Sequence, residues 1–515
     1  MNNIFNKIIR LWSINWNFGN LSKLALTPEL TPIRDLPKRI NGARVFLVGG
    51  SVRDFLLGGV PKDFDVCISG ATTEQVQKYL ESFPGAKVVF AGSTFPVFKF
   101  RAHEDAPELD IALARTEQSL GGGKLQDFVT QYDPTVTIED DLSRRDFTWN
   151  ALALELTTGK LIDPWNGIAD LKAGVINTVG DAITRFTEDR TRALRALRFA
   201  VKLKFSFENK TWKAVCDFAP RMNEMTREGE YILKRELAGR EFLKTLDANP
   251  VEACKLWDKS GMFDSLIPEV SLTKKILQRP DFHPEGDVFV HTLIALGSLS
   301  KKASLNLKLA VLLHDLGKAT RFQVFDRETK KEIAVSLSPA EFCAKLYNAK
   351  KHLIKNIDHE KAGVEIGDEI IRRLAMTASG IDADHVKYLI REHMFHGLPS
   401  WKLSKIESLL FDKSGDPIWD MYEMARADAC GSHKNYEFAN TVKKYINDLL
   451  ALREEASKRP PKLLDGNEIM SEFALKPGPQ IKELLELVRE KQLDELAAGR
   501  IFTRKEALEF LKTKI

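Results

Sequence analysis

The sequence predicts an α+β N-terminal head, a mixed sheet with helices, followed by an elongated all-α body. Two observations predict it. From Asn41 to about Gly180, short apolar runs alternate with amphipathic segments, as strands do when interleaved with helices. From Asp181 onward the strand signal stops and helical periodicity takes over. The chain has 515 residues, enough for three or four domains with sizeable cores. Its net charge of +4 is small, so any footprint for a polyanion must be local. The five cysteines, at positions 67, 216, 254, 343 and 430, show no CxxC spacing. That pattern argues against a disulfide framework or a zinc ribbon and for a reducing compartment. No long uninterrupted apolar run exists, so no membrane-spanning helix is expected.

In chain order, residues 1–40 form an extension with Lys7, Arg10 and Lys23 and no acid before Pro28. Ile8, Ile9, Leu11, Trp12 and Trp16 are interleaved with asparagines. Organelle-targeting peptides are richer in arginine and serine, which favours an extension packed on the first domain over a leader. Candidate strands are Val45–Val48, Asp65–Ile68, Lys87–Phe90, Val97–Arg101, Leu109–Ala114 and Ala151–Glu155, with helices at Val52–Leu57 and Thr73–Ser82. Gly121-Gly122-Gly123 reads as a flexible loop, and Ser457 to Lys462, with Pro460-Pro461, as a linker. The expected organisation is 1–40 extension, 41–180 head, 181–275 helical neck, 276–440 a second functional domain and 441–515 a helical tail.

The head is organised around Val45 to Val66. An apolar run is broken by Gly49 and Gly50, and Ser51 opens an amphipathic segment ending at Gly58-Gly59. A glycine turn that frees backbone N–H groups at a helix N-terminus can cradle phosphate. After Pro61, strand alternation puts Asp63 and Asp65 on one face, about 7 Å apart along the backbone. Two carboxylates beside a phosphate cradle suit Mg2+, a hard cation that takes oxygen ligands.

The run Gly49-Gly50-x-Val52-Arg53-Asp54-x-Leu56-Leu57-Gly58, then Asp63-x-Asp65, resembles the signature of the class II tRNA nucleotidyltransferase and bacterial poly(A) polymerase superfamily. The resemblance continues through Leu109 to Glu117, Glu139 to Thr148 and Glu188-Asp189-x-x-Arg192. It ends at His314-Asp315, in a region similar to the HD phosphohydrolase domain fused to some bacterial CCA-adding enzymes. Residues 44 to 430 are covered.

The resemblance implies that Asp63 and Asp65, with Asp110 as a third carboxylate, hold two Mg2+ ions for attack of an RNA 3'-hydroxyl on a nucleotide. It assigns Gly50, Arg53 and Arg145 to the nucleotide's phosphates and Asp146 to its ribose hydroxyl. Trp149 stands where the family has a small aliphatic residue, which should alter core packing rather than chemistry. Arg190 stands where proline or a small residue is usual.

Glu188 to Arg192 is expected to start one helix running on through Arg195 and Arg198, with Asp189 and Arg192 neighbours on one face. A carboxylate accepts from the exocyclic amine of cytosine or adenine, and a guanidinium donates to the adjacent ring nitrogen. Uracil and guanine offer that carboxylate a carbonyl, so one pair accepts CTP and ATP and repels UTP and GTP. Arg195 and Arg198 would reach the triphosphate.

Further on, His291, His314, Asp315, His359, His393 and Asp428 follow the order of an HD metal site. Mixed imidazole and carboxylate ligands suit Ni2+, Mn2+ or Fe2+ better than Mg2+. Such a domain would hydrolyse 2',3'-cyclic phosphates or phosphate monoesters, or act as a scaffold. The tail, with a helix at Ile481–Leu493 and a start signal at Thr503, resembles the RNA-gripping end of related enzymes, and Lys350, Lys351, Lys355, Lys402 and Lys405 are further basic residues.

The expected function is template-independent addition of CCA to the 3' end of tRNA from CTP and ATP, in the cytoplasm. Poly(A) polymerases and enzymes adding only A or only CC share every motif, so those readings stay open. A reading of another class is an RNA-binding phosphohydrolase with a vestigial transferase head. Intact Asp63, Asp65, Asp189 and Arg192 stand against it. Oligomeric state is not legible.

Overall fold

The computed structural model describes residues 21–61, 63–91, 97–119, 128–278, 283, 285–394, 417–431, 440, 443–444, 447, 462–497 and 500–515. Residues 1–20, the Gly121–Gly123 interval, Lys402, Lys405 and most of the Ser457–Lys462 stretch lie outside that set. The chain divides into two compact units, Met1–Pro268 with Arg373–Ser379, and Glu269–Arg372 with Gly380–Ile515. No described helix is long and apolar enough to cross a membrane.

In the first unit the strands are β1 (Arg44–Val48), β2 (Phe64–Ser69), β3 (Lys87–Ala91), β4 (Val97–Arg101), β5 (Leu109–Leu113), β6 (Thr116–Ser119), β7 (Phe128–Gln131), β8 (Ala153–Glu155) and β9 (Leu161–Ile162). All six expected strands are among them, with ends shifted by a residue or two. Seven make one sheet in the order β3-β4-β5-β2-β1-β8-β9, while β6 and β7 form a separate antiparallel ribbon. The sheet is mixed because β2 and β5 run parallel and every other neighbouring pair antiparallel.

The β2–β5 register sets Asp65 opposite Asp110 and Cys67 opposite Ala112, and β1 sets Phe46 opposite Cys67. Since side chains alternate, all five share one face. At its apolar end that face is core, where Phe46, Val48 and Cys67 pack with Ile138 and Leu142 of the helix Ile138–Ser143. At its acidic end the same face opens. Leu30, Ile33 and Leu36 are fully buried, and the Tyr79 hydroxyl donates to the Pro32 carbonyl at 2.6 Å, so residues 21–40 pack on the head.

Beyond Asp181 come the helices Ala182–Glu188, Thr191–Leu203, Asn209–Phe218, Arg235–Ala248 and Pro250–Ser260. Phe242, Trp257 and Phe263 lock the last two, with ring centroids 4.6 to 6.0 Å apart. The returning segment Arg373–Ser379 buries Leu374 and Met376 here. It lies so close that a Cβ on Gly239 would sit 2.2 Å from the Leu374 carbonyl oxygen.

The expectation that strands stop at Asp181 needs correcting. β10 (Val175–Ile176) pairs in parallel with β11 (Ser206–Phe207). In the second unit β12 (Gln323–Asp326) lies between β13 (Glu332–Ile333) and β14 (His352–Lys355). These strands are two to four residues long, too short for alternation to register. The hairpin turn is stabilised by Asp326 Oδ1 accepting from Thr329 N at 2.7 Å, with Lys330 at a φ of +59°.

The rest of the second unit is helical. The helices Val288–Ser298, Leu305–Leu313, His359–Arg373, Ala383–Glu392 and Pro417–Gly431 hold, within them or at their C-terminal ends, the buried His291, His314, Asp315, His359 and His393 and the half-buried Asp428. Gly466–Phe473, Pro479–Ala497 and Arg504–Lys512 enclose a cluster of their own, with Ile469, Val488, Ala507 and Leu511 inside. Thr503 and Glu506 make the capping box that the start signal implied.

Candidate active site

The open end of the head sheet is one wall of a cavity of about 650 Å³. It is lined by Gly50, Arg53, Asp65, Asp110, Arg145, Asp146, Asp189, Arg192, Arg195 and Arg198, ten of the eleven residues singled out for this chemistry. Asp63 does not line it.

The turn is built on Gly49 rather than Gly50. Gly49 has a φ of +62°, and a Cβ there would meet the Arg145 guanidinium at 2.8 Å, so both backbone and space demand glycine. Ser51, buried at the first helical turn, accepts from Asp65 N and donates to the Asp63 carbonyl, each at 3.0 Å. It ties the carboxylate strand to the glycine turn. Asp65 reaches into the cavity, yet the surrounding walls remove enough water to raise its pKa, and although Arg145 opposes this, Asp110 and Asp63 add to it. A cation would relieve that repulsion. Asp110 is held by Lys99 at 3.1 Å.

Arg53 is paired with Asp54 at 2.7 Å, donates to Asn150 Oδ1 at 2.7 Å, and lies over the rings of Trp149 and Phe199. Trp149 is fully buried, stacks on Phe147 at 5.1 Å and donates to the Val175 carbonyl, so its departure from the family pattern is absorbed in the core. Asp141, almost wholly buried, holds Arg144 with one oxygen and Arg145 with the other, at 2.5 and 2.8 Å. Asp146 accepts from Phe147 N and Asn150 Nδ2 on Oδ1 and from Arg195 on Oδ2. Burial opposes ionisation, but Arg195 and Asn150 outweigh it and draw the Asp146 pKa down to about 2.

The expected single helix from Glu188 to Arg198 is broken. Glu188 ends one helix, Asp189 is extended with φ −148°, and the next helix starts at Thr191. Asp189 Oδ1 accepts from Thr191 N at 2.8 Å and from its hydroxyl at 2.6 Å, competing with the helical ladder. Asp189 and Arg192 thus reach the same cavity by a kink, not a shared helix face. Arg192 donates to Glu188, the Arg185 carbonyl and the Arg144 carbonyl, leaving two of its five N–H groups. Arg198 pairs with Glu241 at 2.6 Å and stacks 4.1 Å over Phe199. Arg190 turns the other way, to Glu224 and the Arg221 carbonyl, and does not line the cavity. Ser51, Asp141, Asn150 and Glu188 were missed from sequence, because each takes its role from a partner the fold supplies.

The second unit brings His291, His314, Asp315, His359, His393 and Asp428 together. Asp315 Oδ2 lies 3.3 Å from His314 Nε2 and 3.8 Å from His291 Nε2, while Oδ1 lies 3.4 Å from His359 Nε2 and 3.7 Å from His393 Nε2. Asp428 Oδ1 is 2.9 Å from His291 Nε2. Asp315 therefore sits between two half-sites. Nδ1 of His314, His359 and His393 meets the backbone carbonyl three residues upstream, at 2.8, 2.7 and 2.6 Å. A carbonyl only accepts, so Nδ1 carries the proton and Nε2 is a bare lone pair. His359 and His393 then face each other lone pair to lone pair at 3.2 Å, and among the described residues buried His314 Nε2 and Asp315 Oδ1 have no hydrogen-bond partner. That donor set fits a divalent transition metal. Burial alone would raise the Asp315 carboxyl, but the Lys318 ammonium 2.6 Å from Oδ2 acts against it and favours the carboxylate. Glycines clear the space, since a Cβ on Gly317 would lie 2.0 Å from the His359 carbonyl oxygen and one on Gly431 2.3 Å from His291 Nδ1.

A family model described as the poly A polymerase head domain matches residues 45–177. The multifunctional CCA protein of Neisseria meningitidis serogroup A is 37% identical over 316 residues, covering 60% of this chain and 69% of that protein. Its counterpart in Burkholderia mallei is 36% identical over 287 residues, 54% of this chain and 64% of that protein. In fold, the chain is similar to the Bacillus stearothermophilus CCA-adding enzyme in complex with CTP, with a TM-score of 0.59 over 95% of this chain and 99% of that one, at 20% identity. With the two-carboxylate sheet edge and the arginine-lined cavity beside it, these likenesses lead to one conclusion: the chain belongs to the multifunctional CCA protein family.

Proposed function

We propose that this chain adds C, C and A to the 3' end of tRNA from CTP and ATP, without a nucleic-acid template. The observation that carries the reading is that one cavity holds both Asp65–Asp110 and Asp189–Arg192. Bond-making and base choice then occur on one bound nucleotide.

Asp65 and Asp110, with Asp63 immediately before β2, are the oxygen donors for Mg2+. When bound, Mg2+ lowers the pKa of the attacking 3'-hydroxyl and neutralises the departing pyrophosphate. Arg145, Arg195 and Arg198 bind the triphosphate, and Gly50 lets phosphate approach the backbone. All lone pairs of Asp146 are engaged while Arg195 lies on it. A triphosphate that draws Arg195 away frees Oδ2 for the ribose hydroxyl. The Asp189 bonds to Thr191 use Oδ1, which leaves Oδ2 for the exocyclic amine, and the two spare N–H groups of Arg192 face the adjacent ring nitrogen.

Incubation with a tRNA transcript lacking its 3' end and each nucleotide in turn, followed by product sequencing, tests this. CTP alone should extend by two residues, and CTP with ATP by CCA. A homopolymer of A, or extension only by A or only by CC, would replace it with the related activities.

The second unit is a metal-dependent phosphohydrolase of the HD type, acting on 2',3'-cyclic phosphates or phosphate monoesters. The facing lone pairs of His359 and His393 support this reading. His291, His314, Asp315 and Asp428 form one half-site and Asp315, His359 and His393 the other. Ni2+, Mn2+ or Fe2+ bound there would polarise the phosphoryl group and supply hydroxide at neutral pH. Hydrolysis of a 2',3'-cyclic nucleotide that Ni2+ restores to chelated protein is the expected result. The helices from Gly466 onward are the tRNA-binding tail, and deleting them should weaken tRNA binding while sparing hydrolysis.

A further inference from the structure

His291 is held differently from the other three histidines. Their Nδ1 atoms rest on backbone carbonyls, whereas His291 Nδ1 faces Glu285 Oε1 at 2.8 Å. The same oxygen lies 2.9 Å from His283 Nδ1. The Glu285 side chain is only 7% exposed, and among the described residues its Oε2 has no hydrogen-bond partner. Its burial is maintained from the backbone. Asp287 caps the helix Val288–Ser298 through Val290 N and also accepts from Lys275 N, at 2.8 and 2.9 Å, which fixes the turn that carries Glu285. On the side of Nδ1, Gly431 leaves room for the His291 ring and nothing larger.

We propose that Glu285 is a positioning residue that fixes His291 as an Nδ1–H tautomer and strengthens Nε2 as a donor, so that the His291 half-site takes its metal before the His359–His393 half-site. This rests on the metal reading of the second unit. A carboxylate behind an imidazole orients the ring and raises its basicity, and losing such a partner typically weakens metal binding about 10–100-fold. Ligand count acts in the same direction. The His291 half-site has Asp428 as well as its share of Asp315 as carboxylate ligands, with Glu285 behind His291 and Lys318 2.6 Å from Asp315 Oδ2. The His359–His393 half-site has its share of Asp315, and Glu360 lies behind it, 3.7 Å from His359 Nδ1. A divalent cation therefore meets one more direct carboxylate on the His291 side.

The test is a Co2+ titration of the full chain after chelation, read by visible absorption and by metal content per chain. The wild type should bind two ions in separable steps. Glu285→Gln keeps the volume and an acceptor oxygen but removes the charge. It should weaken the tighter step about 10–100-fold, shift that step's absorption band and leave the weaker step unchanged. Glu285→Asp should recover part of the loss, and His359→Ala should remove only the weaker step. Nucleotide addition to tRNA and the melting temperature of Glu285→Gln should match the wild type, which excludes misfolding. A wild type that binds no Co2+ overturns the metal reading and this proposal with it. Two wild-type steps that Glu285→Gln leaves unchanged, or weakens equally, overturn the role of Glu285 and leave the metal reading standing.

Discussion

At the scale of single residues, the transferase cavity is a set of carboxylates and guanidiniums each fixed by one precise neighbour. Asp65→Ala should abolish nucleotide addition while tRNA binding is retained, measured by single-turnover extension and filter binding. Asp189→Ala should admit UTP and GTP, because the carboxylate that repels their carbonyls is gone. Losing a buried polar partner costs about 1–3 kcal/mol, a loss of discrimination of about 5- to 150-fold in competition assays. Unchanged rejection of UTP and GTP would move base choice elsewhere. Asp146 gives a pH signature. Its pKa is about 2 in the folded chain against an ordinary 3.8, so its contribution to stability is whole above 3.8 and is lost as pH falls through about 2. The difference in unfolding free energy between wild type and Asp146→Asn, measured in urea, should therefore narrow across that window. Of these residues, Asp65, Asp146, Asp189 and Arg192 were legible because their spacing repeats a known signature. Ser51 and Asn150 were not, because a lone serine or asparagine means nothing until its partner across the fold is known.

At the scale of elements, the sheet brings Asp110 to Asp65 through its one parallel pair, and Ser51 links that pair to the glycine turn. Ser51→Ala leaves Asp65 N–H without its buried partner, an expected loss of about 1–3 kcal/mol. Nucleotide addition should slow with little change in tRNA affinity. Six strands and two helices of the head were readable from their apolar period, whereas β6, β7 and β9, two to four residues long, and the helices Ile138–Ser143 and Gly167–Ala173 were not. The break at Asp189 was not, because Glu188 to Arg198 has an unbroken helical pattern and the kink comes from a side chain competing for Thr191 N. The three-stranded sheet around Val324 was hidden for the opposite reason, being too short to have a period. Gly317 and Gly431 were likewise silent in sequence, yet each marks a contact too close for a methyl group. Gly317→Ala should displace the His359 backbone and cost metal binding, seen as a lower Co2+ content, with nucleotide addition intact.

At the scale of the whole molecule, the two centres lie in separate compact units. Chelation with a transition-metal chelator should stop hydrolysis and spare nucleotide addition in excess Mg2+, and Asp65→Ala should do the reverse. That the chain would gather two separate clusters of chemistry-bearing residues was legible, because each follows its own ordered motif. That the first unit closes only with residues from far downstream was not, since Arg373–Ser379 follows directly on a helix begun in the second unit. This has a consequence for birth on the ribosome. The surface of Gly239 that receives Leu374 is made more than a hundred residues before its occupant, so the nascent first unit must wait with an apolar groove exposed while the second is being synthesised. Nascent chains arrested before residue 373 should be cut by protease between 235 and 268 and held by a chaperone, and those arrested after residue 379 has cleared the exit tunnel should resist. The seven-residue return is the stitch that ends a long vulnerability in translation.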